Sequence, residues 1–266
     1  MLASPPVVLT IAGSDCSSGA GIQADLKTFS ALGCHGLTAL TCVVAEVPGR
    51  VSRVQLLDPE IVAEQIRVLA GAFPVAAAKT GMLGGSAQIK AVISAWQLLH
   101  ARGVPLVVDP VMVATSGSRL LDEDAVALLT AGLFPLAALI TPNLEEAAVL
   151  LGRKIASRGE METAARDLSQ SHRCAVLLKG GHLPGDEAPD VLVLDGTATW
   201  FEGRRIPGIR THGTGCTYSA AITAGLGRGL ALGEAVRLGK RFVTAAIASH
   251  FRWGEVDALN TIPALP

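Results

Sequence analysis

The fold is decided by residues 75–109, VAAAKTGMLGGSAQIKAVISAWQLLHARGVPLVVD. Two short apolar runs, Val75–Lys79 and Pro105–Asp109, flank the segment Ser86–Arg102, whose apolar residues recur with the period of a helix. Strands that are apolar along their whole length are typical of parallel sheets covered on both faces. This stretch therefore predicts a strand, a crossover helix and a parallel strand, which is the unit of an α/β fold.

The same unit recurs along the rest of the chain. Further apolar runs predict strands at Val7–Ala12, Gly36–Ala45, Ala137–Ile140 and Cys174–Lys179, and a hairpin from Val191–Asp195 and Ala198–Phe201. Helical periodicity predicts helices at Ile22–Leu32, Pro59–Ala72, Asp122–Ala131, Asn143–Leu151, Glu160–Ser169, Thr214–Arg228 and Leu232–His250. Right-handed crossovers should place helices on both faces of a mostly parallel sheet. No linker or repeat divides residues 1–266, so we expect a single domain.

Composition and charge narrow the class of partner. Half of the residues are hydrophobic and the formal net charge is −1, with no long run of one sign. Neither nucleic acid nor a membrane surface is therefore an expected partner, which leaves a small molecule. The cysteines are odd in number and widely spaced, at Cys16, Cys34, Cys42, Cys174 and Cys216, which favours reduced thiols and a cytoplasmic location over disulfides or zinc.

A glycine-rich stretch, THGTGCTYSAA at residues 211–221, precedes an alanine-rich helix. The glycines let backbone N–H groups converge, and the helix N-terminus adds partial positive charge, so Gly213, Thr214 and Gly215 predict a hole for an anion. A thiol in that hole, Cys216, should have a lowered pKa and act as a proton acceptor. The alternative is that Cys216 packs as a small buried residue under the first turn.

A second glycine-rich segment, GSDCSSGAGIQADLK at residues 13–27, follows the first predicted strand. Its GAGIQA matches the dinucleotide fingerprint formally. In that fingerprint the glycines form the tight turn itself, whereas Ser14–Ser18 here intervene between strand and helix. The segment therefore favours a loop that walls a substrate over a dinucleotide site.

Polar residues follow three of the predicted strands, namely Asp109, Asn143 with Glu146, and Lys179. Each has a structural alternative: Asp109 a turn, Asn143 a helix cap, Glu146 a capping box and Lys179 a solvated strand end. Their convergence at one sheet edge opposite an anion hole fits phosphoryl transfer, which needs a metal-holding carboxylate and a cation for the donor phosphates.

Six motifs in this chain together resemble the hydroxymethylpyrimidine/phosphomethylpyrimidine kinases of thiamin biosynthesis, in the ribokinase superfamily. They are LTIAGSDCSSGAGIQADLKTFSALG, AAKTGML, VVDPVMVATSG, ITPNLEEAAVL, LLKGGH and THGTGCTYSAAI, and they span nearly the whole chain. No GxxxxGK[ST], HRD or DFG motif occurs, which excludes P-loop and protein kinases.

The resemblance implies a three-layer ribokinase-like α/β fold, a homodimer, and use of ATP and Mg²⁺ to phosphorylate an aminopyrimidine alcohol and then its monophosphate. It implies that Gly213, Thr214, Gly215 and Cys216 cradle the transferring phosphoryl group, with Cys216 as the base. The nucleotide would contact Lys179, Asn143, Thr211, Gly213 and Gly215, and Mg²⁺ would be held by Asp109 and Glu146. The pyrimidine would contact Gly13, Asp15, Gly19, Gly21, Val44, Glu46, Met82, Val111 and Cys216.

One position departs from the family's usual pattern. Where the family usually has a glutamine this chain has Glu46, and a carboxylate only accepts hydrogen bonds, so it would face the lone pair of the ring nitrogen unless one partner carries an extra proton. A pyridoxal or pyridoxine kinase, or a dual-specificity enzyme, is therefore an alternative. Pyridoxal kinases resembling this family tend to have VMVC where this chain has Ala114 in VMVATSG, which favours the pyrimidine.

Two further predictions remain. A non-catalytic pyrimidine-binding protein is a third interpretation, but such a protein should lack at least one of Asp109, Glu146, Lys179 and Cys216, and all four are present.

The segment Thr115–Leu120, TSGSRL, is small and polar with no apolar period, which predicts a mobile flap over the donor phosphates.

Overall fold

A computed structural model describes residues 4–112, 121–209 and 212–262. The predicted flap at 115–120 and Thr211 lie outside the described residues. The described strands are β1 (Val7–Asp15), β2 (His35–Val47), β3 (Arg50–Leu56), β4 (Val75–Thr80), β5 (Leu106–Val108), β6 (Leu139–Ile140), β7 (Ala175–Lys179), β8 (Asp190–Leu194), β9 (Thr197–Phe201), β10 (Phe251–Trp253) and β11 (Val256–Ala258). The helices are α1 (Gly21–Ala31), α2 (Pro59–Ala72), α3 (Ser86–His100), α4 (Glu123–Leu128), α5 (Leu144–Leu151), α6 (Arg158–His172), α7 (Thr214–Gly227) and α8 (Leu232–Ala248).

Nine strands form one sheet in the order β3-β2-β1-β4-β5-β6-β7-β8-β9. The run from β2 to β7 is parallel throughout, while β3 at one edge and the β8–β9 hairpin at the other pair antiparallel with their neighbours. The β8–β9 hairpin confirms the predicted pair around Gly196. All parallel strands point the same way, so the residues that follow them meet at one edge of the sheet.

Helices cover both faces because side chains alternate along each central strand. On β1, Leu9 and Ile11 belong to a core with α2 and α3, whereas Val8 packs with Phe29 of α1 and Ala220 of α7. Farther along the sheet, α7 and α8 complete the second face through a cluster that includes Ile222 and Val236. The predicted three-layer α/β fold is confirmed.

The structure differs from the sequence prediction mainly at the edges. Strand β3 was not predicted; all seven of its residues are exposed, so RVSRVQL lacks the buried apolar face that identifies a strand in sequence. In place of the helix predicted at 122–131, an α-helix runs to Leu128 and a short π-helix follows it over Leu129–Leu133. In the part of the chain that the structure describes, no helix is long and apolar enough to cross a bilayer.

Candidate active site

A cavity of about 760 Å³ opens at the carboxyl ends of the parallel strands. Two groups of polar side chains line it. We call Asp109, Glu146 and Lys179 the lysine set, and Asp15, Glu46 and His212 the histidine set. The first turn of α7, residues 213–216, lines the same cavity and follows His212 directly in the chain.

The lysine set is assembled by neighbouring parallel strands. Asp109 comes directly after β5 and Lys179 ends β7, while Glu146 lies in the first turn of α5, which follows β6. The Lys179 N–H donates to the carbonyl of Pro142 at 3.0 Å, which extends the sheet pairing to the start of α5. The strand register thus brings together three residues that are far apart in sequence, as predicted.

The centre of the lysine set is a buried ion pair. Lys179 Nζ lies 2.9 Å from Asp109 Oδ1, which also accepts from the Thr141 hydroxyl at 3.1 Å. Burial acts to raise the pKa of Asp109, but the ammonium of Lys179 outweighs it and holds that pKa below its ordinary value. Burial likewise acts against the charged form of Lys179, yet the carboxylates of Asp109 and Glu146 raise its pKa. Both members of the pair are therefore charged.

Glu146 closes the capping box that begins α5. The Asn143 side chain accepts from the Glu146 N–H at 2.9 Å, and Glu146 Oε2 accepts from the Asn143 N–H at 2.9 Å. Its other oxygen accepts the Met112 N–H at 3.2 Å. Burial, with a further contribution from Asp109, raises the pKa of Glu146 to about 7. Asn143 and Glu146 thus have the capping role that was the structural alternative, while both still line the cavity.

The first turn of α7 presents free amides to the cavity. The first bond within this helix runs from Thr217 N–H to the Gly213 carbonyl at 2.9 Å, so the amides of Thr214, Gly215 and Cys216 have no partner within the helix. A Cβ at Gly215 would lie 3.3 Å from Lys179 Nζ and 3.4 Å from Asp109 Oδ2. The amides therefore lie directly beside the lysine set, in the arrangement that anion binding requires.

Gly213 joins this turn to the glycine-rich loop after β1. Its φ is +79°, and a Cβ there would overlap the carbonyl oxygen of Gly19. Only glycine permits both the left-handed backbone and this approach. The close contact fixes the position of the amides against the opposite wall.

Cys216 lines the cavity, but its thiol does not have the lowered pKa that the sequence predicts. Burial raises the pKa of Cys216 to about 11; the Lys79 ammonium and a hydrogen bond from Gly21 N–H favour the thiolate, while Asp25 and Asp109 oppose it. The prediction was wrong because it counted the helix N-terminus and ignored the cost of burying a charge beside two carboxylates.

A second ion pair lies buried beneath the cavity and was missed in the sequence. Lys79 Nζ is 2.7 Å from Asp25 Oδ1, both side chains are 0% exposed, and the Thr10 hydroxyl donates to Asp25 at 2.6 Å. The available signal was a lysine inside the otherwise apolar strand VAAAKT, since a buried charge requires a partner. This pair supplies the cation that most favours the Cys216 thiolate.

The histidine set is built around Asp15. Its carboxylate accepts the N–H groups of Ser17 at 2.7 Å, Gly19 at 3.1 Å and Ala20 at 2.8 Å, and pairs with His212 Nε2 at 3.1 Å. Burial acts to raise the pKa of Asp15, but these bonds, chiefly that of His212, hold it well below its ordinary value. The Asp15 hydrogen bond raises the pKa of His212.

Glu46 reaches the same place from β2. One of its oxygens lies within 4.8 Å of the facing atoms of both Asp15 and His212. Burial, followed by the Asp15 carboxylate, raises the pKa of Glu46, and His212 opposes that rise. Sequence reasoning identified Asp15 and Glu46 but passed over His212, although it precedes GTGC directly.

The remaining predicted residues fall on or near the cavity wall. Gly13, Gly21, Val44, Met82 and Val111 line it. Gly19 donates its N–H to the Asp15 carboxylate at 3.1 Å and is not among the residues that line the cavity, and its contact with the pyrimidine stays a prediction. Val51 and Val54 of β3 line the wall beside Val44, and sequence reasoning missed them together with their strand.

Val111 has a φ of +45°, a left-handed backbone that β-branched residues avoid. Such strain is characteristic of functional sites and persists only where neighbouring contacts impose it. Here the next residue, Met112, is held by Glu146. The cavity wall at this point is therefore coupled to the lysine set.

Comparison with known proteins defines the class of this fold first. The structure aligns with a pyridoxal kinase of Bacillus subtilis solved as an ADP complex, with a TM-score of 0.87, 37% identity, and coverage of 96% of this chain and 97% of that one. It aligns with a phosphomethylpyrimidine kinase of Clostridium difficile 630 with a TM-score of 0.79, 39% identity, and coverage of 91% and 99%. The fold is thus that of the ribokinase-like kinases.

The sequence then defines the family. A hydroxymethylpyrimidine/phosphomethylpyrimidine kinase of Rhizobium meliloti is 46% identical over 247 residues, which cover 92% of each chain. The family model described as phosphomethylpyrimidine kinase matches residues 15–260. This chain belongs to the phosphomethylpyrimidine kinase family.

Proposed function

We propose that this protein transfers the γ-phosphoryl group of ATP to hydroxymethylpyrimidine, and then a second phosphoryl group to the resulting monophosphate, in thiamin biosynthesis. The observation that supports this most is the position of the free amides of residues 214–216 directly beside the Lys179–Asp109 pair. Amides and an ammonium stabilise charge that develops on a transferring phosphoryl group. The relatives of this chain have names that fit the same reaction.

The residues present fit a nucleotide with Mg²⁺. Because Gly215 has no side chain, its amide is open to phosphate oxygens beside Lys179 Nζ and Asp109 Oδ2, which lie 3.3 and 3.4 Å from the position a Cβ would take. Asp109 and Glu146 are buried carboxylates that line the same cavity, and Mg²⁺ is usually held by one or two carboxylates together with substrate phosphates. When bound there, Mg²⁺ would neutralise charge on the donor phosphates.

In the first step the alcohol oxygen forms a bond to the γ-phosphorus, and the bond from that phosphorus to the β-phosphate oxygen breaks, so ADP leaves with the electron pair. The alcohol proton passes to the Cys216 sulfur. Because burial raises the pKa of Cys216 to about 11, the step draws on a minor thiolate form, which Lys79 and Gly21 N–H favour. The amides of Thr214, Gly215 and Cys216 receive the phosphoryl oxygens.

The second step makes a smaller demand on the protein. The acceptor is then a phosphate monoester whose second pKa is ~6, so it is largely ionised at neutral pH. Its oxygen needs no base. Lys179 and the amides remain necessary, because they act on the transferring group in both steps.

A pyridoxal kinase activity is the second candidate, and one observation favours it specifically. The pyridoxal kinase of Bacillus subtilis superposes with a TM-score of 0.87, against 0.79 for the phosphomethylpyrimidine kinase of Clostridium difficile. The sequence relatives favour the pyrimidine. A non-catalytic pyrimidine-binding protein is disfavoured because the lysine set and Cys216 are all in place.

An assay of ATP consumption tests these candidates directly. ADP release is measured with hydroxymethylpyrimidine, its monophosphate or pyridoxal as acceptor, with Mg²⁺ present or chelated. We expect turnover with both pyrimidines and its loss on chelation. Turnover with pyridoxal alone would replace the proposal by the second candidate, and binding of the pyrimidine without turnover would favour the third.

The family resemblance also suggests a homodimer acting in the cytoplasm. Exposed apolar residues on the β2–β3 hairpin that do not line the cavity, Val43 and Val47 at 45% each, offer a surface that a second copy would cover. Sedimentation of the purified protein measures the assembly. A mass of one chain at micromolar concentration would contradict this part of the proposal.

A further inference from the structure

Glu46 is the one member of the histidine set whose charge is not balanced. Asp15 and His212 pair with each other at 3.1 Å. The backbone of Glu46 exchanges hydrogen bonds with the Cys16 thiol at 3.2 and 3.3 Å. No hydrogen bond from another described residue reaches its carboxylate, which is half-buried and lines the cavity. Its oxygens are therefore open to donors from a ligand that enters the cavity.

A metal ion fits this place less well than a hydrogen-bonding ligand. The oxygens of Asp15 already accept three backbone N–H groups, and its Oδ2 also faces His212 Nε2. A cation bound between Asp15 and His212 would break the pair in which His212 balances the Asp15 charge. Only Glu46 has unused oxygens, so the chemistry available here is that of one carboxylate accepting two hydrogen bonds.

The other titratable groups around Glu46 do not neutralise it. Asp15 comes from β1 and His212 from the turn before α7, and these balance one another. Cys42 lies deeper on β2, and Glu46 acts to raise the pKa of its thiol. On β3, Arg50 lies opposite Val47 and Arg53 lies opposite Ala45. Because side chains alternate along β2, Val47, Ala45 and the two arginines lie on the face of the hairpin opposite to that of Glu46.

An aminopyrimidine presents an amine beside a ring nitrogen. The amine donates, but the neutral ring nitrogen accepts, so a carboxylate matches only half of this edge. When the ring nitrogen is protonated, both positions donate and match the two oxygens of one carboxylate with charge-assisted bonds. The pair needs one proton more than the ionised carboxylate and the neutral ring carry separately.

We propose that Glu46 binds the substrate as a ring-protonated aminopyrimidinium, with one proton taken up from solvent and held between the Glu46 carboxylate and the ring nitrogen. The inference rests on the proposed pyrimidine substrate and concerns how that substrate is recognised. It follows that, once the pH is high enough that the free ring and free Glu46 are both deprotonated, affinity for the pyrimidine falls by about tenfold for each further pH unit. A neutral amide at this position would remove that dependence.

Calorimetry in two buffers of different ionisation enthalpy tests the inference, with hydroxymethylpyrimidine titrated into the whole protein at pH 8. Wild type should take up about one proton per pyrimidine bound, and Glu46→Gln should take up about none. Glu145→Gln, which alters another carboxylate lining the cavity, is the matched control and should behave as wild type. His212→Gln should still take up a proton.

The outcomes separate this inference from the proposed function. Proton uptake that persists in Glu46→Gln would overturn the role of Glu46. If that uptake also disappears in His212→Gln, the proton belongs to His212. Binding without proton uptake in wild type would overturn it too. Absence of phosphorylation in the separate ADP-release assay would instead count against the kinase proposal, whatever the proton count.

Discussion

The two polar sets of the cavity differ in how their charges are balanced. In the lysine set, Asp109 is matched by Lys179 at 2.9 Å, and beneath the cavity Asp25 is matched by Lys79 at 2.7 Å. In the histidine set, the pair of Asp15 and His212 leaves the Glu46 carboxylate without a cation. Every carboxylate of the lysine set therefore has a partner before any ligand arrives, because Lys179 pairs with Asp109 and the N–H groups of Met112 and Asn143 bind Glu146. In the histidine set, the Glu46 carboxylate has no such partner among the described residues.

This difference between the two sets indicates which residues support phosphoryl transfer and which distinguish one substrate from another. The buried pair of Lys179 and Asp109 lies beside the amides of residues 214–216 before a phosphoryl group binds, and removing one member leaves an uncompensated buried charge. An unbalanced carboxylate in a half-exposed wall depends on the ligand for its partner, so it discriminates among ligands. Changes in the lysine set should affect every substrate, while changes in the histidine set should affect some more than others.

The largest expected effect is that of Lys179→Met. Loss of the ammonium beside the free amides should lower kcat by about a thousand-fold for both phosphorylations, because it removes charge stabilisation from the transferring group. The protein should also lose about 3–5 kcal/mol of unfolding free energy, since Asp109 is left buried and unpaired. Steady-state kinetics with each acceptor and urea denaturation measure the two effects.

Lys240→Met provides a matched control for stability. Lys240 pairs with Asp190 at 2.7 Å, and its side chain is 14% exposed against 4% for the aspartate, the same fractions as in the pair of Lys179 with Asp109. The two variants should be destabilised to a similar extent. Lys240 also lines the cavity but does not lie within 4 Å of the Cβ position at Gly215, so Lys240→Met should lose far less kcat. Equal losses of kcat would mean that the lysine set acts only through stability.

Cys216→Ala should separate the two phosphorylations. The alcohol step should slow by about a hundred-fold, because removal of a general base costs that order of rate, and the monophosphate step should change much less. Because the raised pKa of about 11 makes the thiolate scarce at neutral pH, the wild-type alcohol step should also quicken by about tenfold per pH unit from pH 7 to 9. Rates with each acceptor supplied separately test both expectations.

Cys174→Ala is the control for this variant, since burial raises the pKa of that thiol also, to about 12, and it does not line the cavity. It should leave both rates close to wild type. Equal slowing of the two steps by Cys216→Ala would assign Cys216 to the phosphoryl cradle and not to proton transfer.

The sequence predicted the central sheet and the lysine set because both depend on local pattern. Continuous apolar strands and the capping sequence before α5 mark where each strand ends, and parallel pairing then brings Asp109 and Lys179 together. The pair of Asp25 with Lys79 joins residues 54 apart in sequence, and no local pattern names that partner. The raised pKa of Cys216 depends on burial by the whole fold, so a prediction from the helix N-terminus alone gave the wrong direction for the pKa shift.

Gly213→Ala tests whether the amides need the contact that joins them to the loop after β1. The new Cβ would overlap the Gly19 carbonyl, so the backbone must shift, and we expect about 1–3 kcal/mol more destabilisation than in a control without the clash. Gly229→Ala is that control: its φ is +82°, close to the +79° of Gly213, and nothing lies within 4 Å of its Cβ position. Similar stability of the two variants in urea would show that the overlap is relieved without cost.

The smallest expected effect concerns the balanced pair of the histidine set. Asp15 raises the pKa of His212 above its unfolded value of 6.5, so the pair contributes stability that is fully present below pH 6.5 and is lost as pH rises through the folded pKa. His212→Gln should therefore cost about 1 kcal/mol at pH 6, and the difference from wild type should shrink towards pH 9. His172→Gln gives the opposite trend, because burial lowers the pKa of His172 and the wild-type stability from that site is lost as pH falls.

Urea midpoints measured from pH 5.5 to 9 compare the two variants, and a His212→Gln difference that stays constant with pH would mean that His212 is neutral beside Asp15. In that case Asp15 would share the uncompensated charge of Glu46, and the contrast between a balanced pair and a lone carboxylate would not hold.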